Sequence, residues 1–370
     1  MIRVLIVLFT AFVLYRLQEI VYRRRWDSRV KFEMAYGVSE VFEGGTVGFR
    51  ETIWNGKRLP MPYVRASYVH SAHLRQTDLA GNFMHHGRFR DTFFVVPGKR
   101  RISRNTLLIC EKRGYYVIDK ATVYSSDIFL SRTYKKVVDL DIALTVYPGE
   151  IEISEADIPY KSLSGEILTK RFILPDPFEF IGIREYQPFD SLKQLNFKAW
   201  AKTGQPMSNI HGHTVSQEVR IVLNLQPYCP FLRDALFENA IRLAAFLARK
   251  YLEEGIPVSF ATNGLDCVTN QPSHTQKGQT SRHLREIYEI LARIDLDKNV
   301  HSAPILESLP TAAELGGGVL ALISSYTDSR LEAWHKEALA QNAKILWIAP
   351  RVPHDKVAYA DGVVVWEESP

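Results

Sequence analysis

The sequence predicts a chain of mixed class, α/β plus all-β: an N-terminal transmembrane helix, a β-sandwich, and then a doubly wound α/β domain. Three observations lead there. Residues 4–15 form an unbroken run of low polarity, residues 30–148 hold short β-type runs broken by turn residues, and from Val219 onward apolar strands alternate with helices. A chain of 370 residues is long for one domain and sufficient to bury two cores. The expected divisions are an anchor at 1–25, an immunoglobulin-like sandwich at 30–148, a connector at 149–215 and the α/β domain at 216–370.

Leu17, Ile20, Val21 and Tyr22 extend the first apolar run toward Arg23, Arg24 and Arg25. A bilayer core takes roughly 20 residues of helix, so residues 1–22 are expected to span it with Arg16 reaching to the interface. The bulky and charged residues after Tyr15 offer no small-x-small cleavage site, which predicts retention over removal as a signal peptide. Arg16, the Arg23 to Arg25 cluster, Arg29 and Lys31 follow the run and only Arg3 precedes it. That asymmetry predicts a single pass with the bulk of the chain in the cytoplasm.

In the sandwich, strands are expected at 46–54, ending in the Asn55-Gly56 turn, and at 63–69, 92–96, 106–112, 115–118 and 137–147. Past a connector punctuated by Pro159, Pro175 and Pro177, the α/β pattern begins with a strand at 220–225 and a helix at 232–254 closed by Gly255 and Pro257. A strand at 258–261 precedes a helix that puts Leu284, Ile287, Leu291 and Ile294 on one face. A strand at 319–324, a helix at 328–342 and strands at 343–349 and 363–366 complete it. Apolar strands separated by helices imply a parallel sheet covered on both faces.

Several classes of chemistry find no support. The net charge of +5, from 46 Lys and Arg against 41 Asp and Glu, is mild and concentrated beside the anchor, whereas nucleic-acid binding needs a dense basic face. Cys110, Cys229 and Cys267 are odd in number and far apart, so they read as small buried hydrophobes. His70, His73, His85, His86, His211 and His213 lack zinc-site spacing and read as surface histidines. Gly316-Gly317-Gly318 precedes a strand with no Gly-Lys-Ser/Thr after it, so it forms no phosphate loop, and no Gly-x-Ser-x-Gly elbow occurs. No catalytic residue, cofactor or metal ligand is therefore assigned.

Between the two domains runs Gly182-Ile183-Arg184-Glu185-Tyr186-Gln187-Pro188-Phe189-Asp190, followed by Lys193, Asn196, Phe197, Lys198, Trp200, Ala201 and Lys202. This stretch resembles the signature of the bacterial domain of unknown function 58 family, in which Arg-Glu-Tyr-x-x-Gly-Asp leads into a short helix. Arg184, Glu185, Tyr186, Asp190 and Ala201 match; Phe189 replaces the glycine, Lys193 and Lys202 replace arginines, and Phe197 replaces a tryptophan. Arg113-Gly114-Tyr115, Asp127-Ile128-Phe129 and Val146-Tyr147-Pro148 resemble landmarks of the family's sandwich. As a helix, the segment is expected to be capped by Asp190 or Ser191, with Leu192, Leu195 and Ala199 inward and Lys193, Lys198 and Lys202 outward. Arg184 and Glu185, adjacent on an extended segment, are expected to point to opposite sides.

The resemblance implies a von Willebrand factor A-like α/β domain in a protein often encoded beside MoxR-type ATPases. A working domain of that kind holds a divalent cation in an Asp-x-Ser-x-Ser loop, and hard cations need several oxygen ligands, some of them anionic. Here the loop reads Asn224-Leu225-Gln226-Pro227-Tyr228, with Ser324-Ser325 after the later strand. Asn224, Gln226, Tyr228 and Ser325 are thus the positions of a degenerate metal site, and Asp328 is expected to cap the next helix. The apolar anchor, the lost anionic ligands and the absence of catalytic motifs together lead to the expectation of a membrane-anchored, non-catalytic scaffold for protein-protein interaction, with the signature segment as its docking surface or as a structural clasp between the domains. A cell-envelope hydrolase and a metal-dependent adhesion domain are the alternatives.

Overall fold

The computed structural model describes residues 2–77, 89–151, 160, 180–187, 195–211, 218–226, 233–298, 305–311, 318–351 and 359–367. The chain divides into two units, Met1–Gly149 and Glu150–Pro370.

The first unit opens with helix α1, Ile2–Arg25, which is long and apolar enough to cross a membrane. Every residue from Ile2 to Leu14 is exposed. Below that, Tyr15, Gln18, Glu19, Tyr22 and Trp26 recur at helical spacing as the shielded face. Tyr22 and Trp26 belong to the sandwich core, and Tyr22 Oη shares a 2.7 Å hydrogen bond with Ser125 Oγ. The expected apolar helix is therefore present and long enough to span a bilayer, and its last turns also pack on the sandwich. The helix's last turns are committed to the sandwich, because Glu19 and Tyr22 find partners there that lipid could not supply.

Among the described residues nine strands follow: β1 (Val30–Tyr36), β2 (Glu40–Phe42), β3 (Thr46–Asn55), β4 (Met61–Val69), β5 (Leu74–Thr77), β6 (Phe89–Val96), β7 (Arg100–Cys110), β8 (Gly114–Ser126) and β9 (Thr133–Tyr147). They form two sheets, β1-β3-β7-β5 and β2-β9-β8-β4-β6. Pairing is antiparallel except between β2 and β9. Alternate side chains enter one core: Phe32, Val47, Phe49, Ile53 and Leu108 from the first sheet meet Val64, Tyr68, Phe94, Val123 and Leu144 from the second. Strands β1, β2 and β5 escape the sequence reading, β2 and β5 being only three and four residues long, and β8 runs eight residues past its expected end at Ile118, where Asp119 and Lys120 put charges on both faces.

The core also buries charge. Glu51 is fully buried; its Oε1 accepts from Tyr68 Oη at 3.1 Å, and its Oε2 lies 3.6 Å from Arg90 Nη2. The Arg90 guanidinium stands over Phe49 and Tyr68 at 5.5 and 5.9 Å, a desolvated setting suited to its planar, weakly hydrated cation. Removing one partner of such a pair strands the other's charge. Arg90→Met should therefore cost about 3–5 kcal/mol, whereas Arg90→Met with Glu51→Leu should recover most of that. Urea unfolding of the single and double variants measures the difference.

In the second unit, β12 (Val219–Asn224), β13 (Val258–Leu265), β14 (Pro272–Gly278), β15 (Val319–Ser324), β16 (Lys344–Arg351) and β17 (Val364–Glu367) build one sheet in the order β14-β13-β12-β15-β16-β17. Edge strand β14 is antiparallel and the rest are parallel. Ahead of this sheet, β10 (Phe180–Glu185) and β11 (Met207–His211) form an antiparallel pair bracketing the short helix α2 (Phe197–Thr203).

Helix α3 (Arg233–Glu253) packs on β12, β13, β15 and β16. On the other face, Leu331 and Ala338 of α5 (Ser329–Ala340) join Val222, Leu320, Leu322, Ile345 and Trp347 in one cluster. Helix α4 (Ser281–Arg293) lies against α3 and β14 and buries Ile287, Tyr288 and Leu291. The five parallel strands are thus covered on both faces, as their apolar sequences predict, and the antiparallel edge strand β14 departs from the all-parallel expectation. Gly255, at φ 74°, ends α3 in the left-handed region that glycine enters without strain.

Two expectations about single residues are corrected. His70 is buried, not a surface histidine, because it directly follows β4 and packs beside Phe49 and Tyr68. Cys267 is half-buried, since it sits in the turn after β13 where its backbone bonds to Arg293 but its side chain borders solvent. His73 is exposed as expected. His85, His86, His213, Cys229, Gly316 and Gly317 lie outside the described residues.

Candidate functional site

Open parallel sheets gather function where strand order reverses, at the strand carboxyl ends. In the second unit that point lies between β12 and β15, where Asn224 and Ser324 are register partners. Asn224 Nδ2 donates to Ser324 Oγ at 2.9 Å, while Asn224 Oδ1 accepts from Asn263 Nδ2 at 2.8 Å and from the Gln226 amide at 3.1 Å. Asn263 Oδ1 accepts from the Leu225 amide at 2.8 Å. Ser324 Oγ donates to the Tyr326 carbonyl at 2.9 Å, and the Ser324 and Ser325 carbonyls accept from Trp347 Nε1 and Tyr359 Oη. Gly264 permits this closeness: a Cβ there would stand 2.8 Å from Leu225 Cδ1.

The three strand ends are thereby tied by a neutral network with its described acceptors in use. Asp328, the nearby carboxylate, caps α5 by accepting from the Leu331 amide at 2.7 Å and from Tyr326 Oη at 3.3 Å. The donor set tests the cation that a von Willebrand factor A-like reading implies. Amides and hydroxyls committed to one another, with the carboxylate turned to a helix cap, do not fit a hard divalent ion. Among the described residues, no group of three or more His, Cys, Asp and Glu is placed to hold a metal. Of the four degenerate-loop positions, Asn224, Gln226 and Ser325 meet here, and Tyr228 lies outside the described residues. Sequence reading missed Asn263, because the strand was expected to end at Ala261 and β13 runs on through Asn263 to Leu265.

The segment carrying the family resemblance folds differently from its expectation. Arg184 is half-buried and Glu185 exposed on β10, opposite Ser208 and Met207 of β11. The cap of α2 is Asn196: its Oδ1 accepts from the Ala199 amide at 2.9 Å, and its Nδ2 donates to Asn209 Oδ1 at 2.7 Å. Asn196, not Asp190 or Ser191, starts the helix because its backbone amide also bonds Met207 and fixes it against β11. Asp190, Ser191, Leu192 and Lys193 lie outside the described residues.

Helix α2 buries none of its residues. Lys198, Ala201 and Lys202 are exposed, and so are Phe197 at 68% and Trp200 at 38%, stacked with ring centroids 6.2 Å apart. Tyr186 is held by its amide to the Pro206 carbonyl at 2.9 Å. An aromatic pair left in water beside lysines is a surface that gains by being covered.

Two clefts stand out among the described residues. One of about 690 Å³ lies along β12, β13 and β14, bordered by Glu218, Arg220, Ser259 and Lys277, which are linked to one another through Glu218. Another, of about 390 Å³ in the first unit, is lined by Tyr36, His70, Leu74 and Tyr116. Tyr36 Oη and His70 Nε2 are buried there with no hydrogen-bond partner among the described residues. Burial, helped by the Arg90 guanidinium, pushes His70 down to about 4, so the ring is neutral at physiological pH.

These features define a class: a chain with an apolar N-terminal helix, a β-sandwich unit and a mixed α/β unit. No family model and no curated protein matches the sequence. Among solved structures, the chain is similar to the CARDB domain of a Pyrococcus furiosus protein, at 10% identity and a TM-score of 0.20, over 32% of this chain and 91% of that one. It is also similar to a non-cellulosomal cohesin from Archaeoglobus fulgidus, at 12% identity and a TM-score of 0.24, over 35% of this chain and 97% of that one.

Two measurements check the sites. Asn224→Ala removes the acceptor of the Asn263 and Gln226 groups and the donor to Ser324, so urea unfolding should show a loss of about 2–3 kcal/mol. His70 has a folded value of about 4 against 6.5 for the free side chain, so the unfolded chain binds its proton first on acidification. The stability that neutral His70 contributes is whole above pH 6.5 and is lost as pH falls toward 4, by roughly 3 kcal/mol. Hydrogen exchange of β4 amides should show that loss, and His70→Phe should abolish its pH dependence.

Proposed function

We propose that this chain is a membrane-anchored, non-catalytic scaffold whose work is to hold a protein partner. The observation that carries this reading is the exposed Phe197–Trp200 stack, with Lys198 and Lys202 beside it, on a helix that buries nothing of its own. Aromatic residues already fixed against each other lose little freedom on binding and gain most when desolvated. The flanking ammonium groups favour an acidic partner surface. Helix α1 supports anchoring by its length and its exposed apolar residues, and the arginines after it favour a cytoplasmic bulk.

In this reading the chain is a divergent member of the domain of unknown function 58 family, and its second unit is a von Willebrand factor A-like domain that has replaced cation ligation by a network of amides. The doubly covered parallel sheet and the neutral Asn224–Asn263–Ser324 network support it. A MoxR-type ATPase is the partner that the resemblance favours. Recovery of the tagged full chain from native membranes should bring that ATPase along, and Phe197→Ala with Trp200→Ala should lose it by tenfold or more, about 1.4 kcal/mol, with the melting temperature unchanged. Equal recovery by the double variant, or turnover of an envelope substrate by the purified chain, rejects the scaffold.

A further inference from the structure

The turn between β8 and β9 carries Ile128, Phe129 and Leu130 in succession, exposed at 47, 63 and 62%. Consecutive large apolar side chains on a tight turn are costly in water and would ordinarily be replaced by polar turn formers. Leu130 moreover sits at φ 56°, in the left-handed region that a turn built for water fills with glycine or asparagine. The turn is not loose. Asp127 is buried beneath it and accepts from the Ser131 amide at 2.6 Å, the Arg132 amide at 3.2 Å and Gln18 Nε2 of α1 at 2.9 Å. The three apolar side chains are thus held outward by a rigid base.

What covers them is indicated by their neighbour. The Phe129 ring lies 5.9 Å from that of Tyr15, the last residue of the unbroken apolar run of α1. Immediately below this level the first charges appear together: Arg16 and Arg132 each stand 2.8 Å from the buried Glu19 carboxylate and keep about half of their side chains in solvent. A helix enters lipid where its charges stop, and aromatic rings with arginines mark that boundary. The hairpin tip shares this boundary and continues the helix's apolar surface sideways.

We propose that the Ile128-Phe129-Leu130 tip is a second membrane contact, inserted into the interfacial layer of the bilayer beside α1, with Arg16 and Arg132 facing anionic lipid headgroups. The proposal rests on α1 being the anchor. It adds that the sandwich is seated on the lipid surface at a fixed depth, with β8 and β9 rising from it. The partner is the lipid surface itself: hydrocarbon for the tip, phosphate for the two guanidinium groups.

The test uses the full chain in vesicles of phosphatidylcholine and phosphatidylglycerol, some with acyl chains brominated near the headgroup. Phe129→Trp adds an emitter at the tip. Val117→Trp adds one on β8, nine residues before its end at Ser126, about 30 Å away at strand rise. Flotation with the vesicles establishes anchoring first. The expected result is that brominated lipid quenches the emission added at 129, with a blue-shifted maximum, and leaves that added at 117 unchanged. A chain that floats while both added emissions resist quenching overturns the seated tip and leaves the anchor standing. A chain that fails to float overturns the anchor and the proposal with it.

Discussion

The Glu19 carboxylate, buried between Arg16 of its own helix and Arg132 of the sandwich, is the constraint on which the first unit depends. A buried carboxylate without such partners would be expelled or protonated. Satisfied from both sides, it fixes the rotation of α1, so that Tyr22 and Trp26 face the core and Gln18 meets Asp127. The apolar stretch above it is consequently a rigid extension of the domain. A helix on a floppy tether would have no fixed orientation to the sandwich; this junction sets one.

The same economy governs the interior. Glu51, Arg90, Tyr68 and His70 form a polar island among Phe49, Leu108 and Val64. Burial opposes ionisation of Tyr68 and of Tyr36, and it keeps His70 neutral. Such an island adds little net stability compared with hydrocarbon of the same volume, but misregistered strands would leave its charge uncompensated. In the second unit the equivalent role falls to neutral groups. Asn224, Asn263 and Ser324 lock three strand ends without any charge, which gives a rigid platform at the position where many open sheets place a ligand.

The sequence by itself determined the architecture in outline, because the signals involved are local. Unbroken apolarity marked α1, a period of two marked the inward faces of β3, β4 and β6, and Gly255 and Asp328 punctuated helices where capping geometry requires them. The absence of carboxylates at Asn224 and Gln226 was equally plain in one dimension.

What only the tertiary structure decided were meetings between distant residues. Nothing near Glu19 in sequence announces Arg132, nothing near Asn224 announces Asn263, and nothing near Tyr15 announces Phe129. The same holds for Asn196, which captured the α2 cap because β11 holds its backbone, although Asp190 and Ser191 have equal intrinsic preference for the role. Propensity acts over a few residues and so is legible in the chain. Pairing of buried polar groups depends on which surfaces the fold brings together, and that is settled only when the hydrophobic cores close.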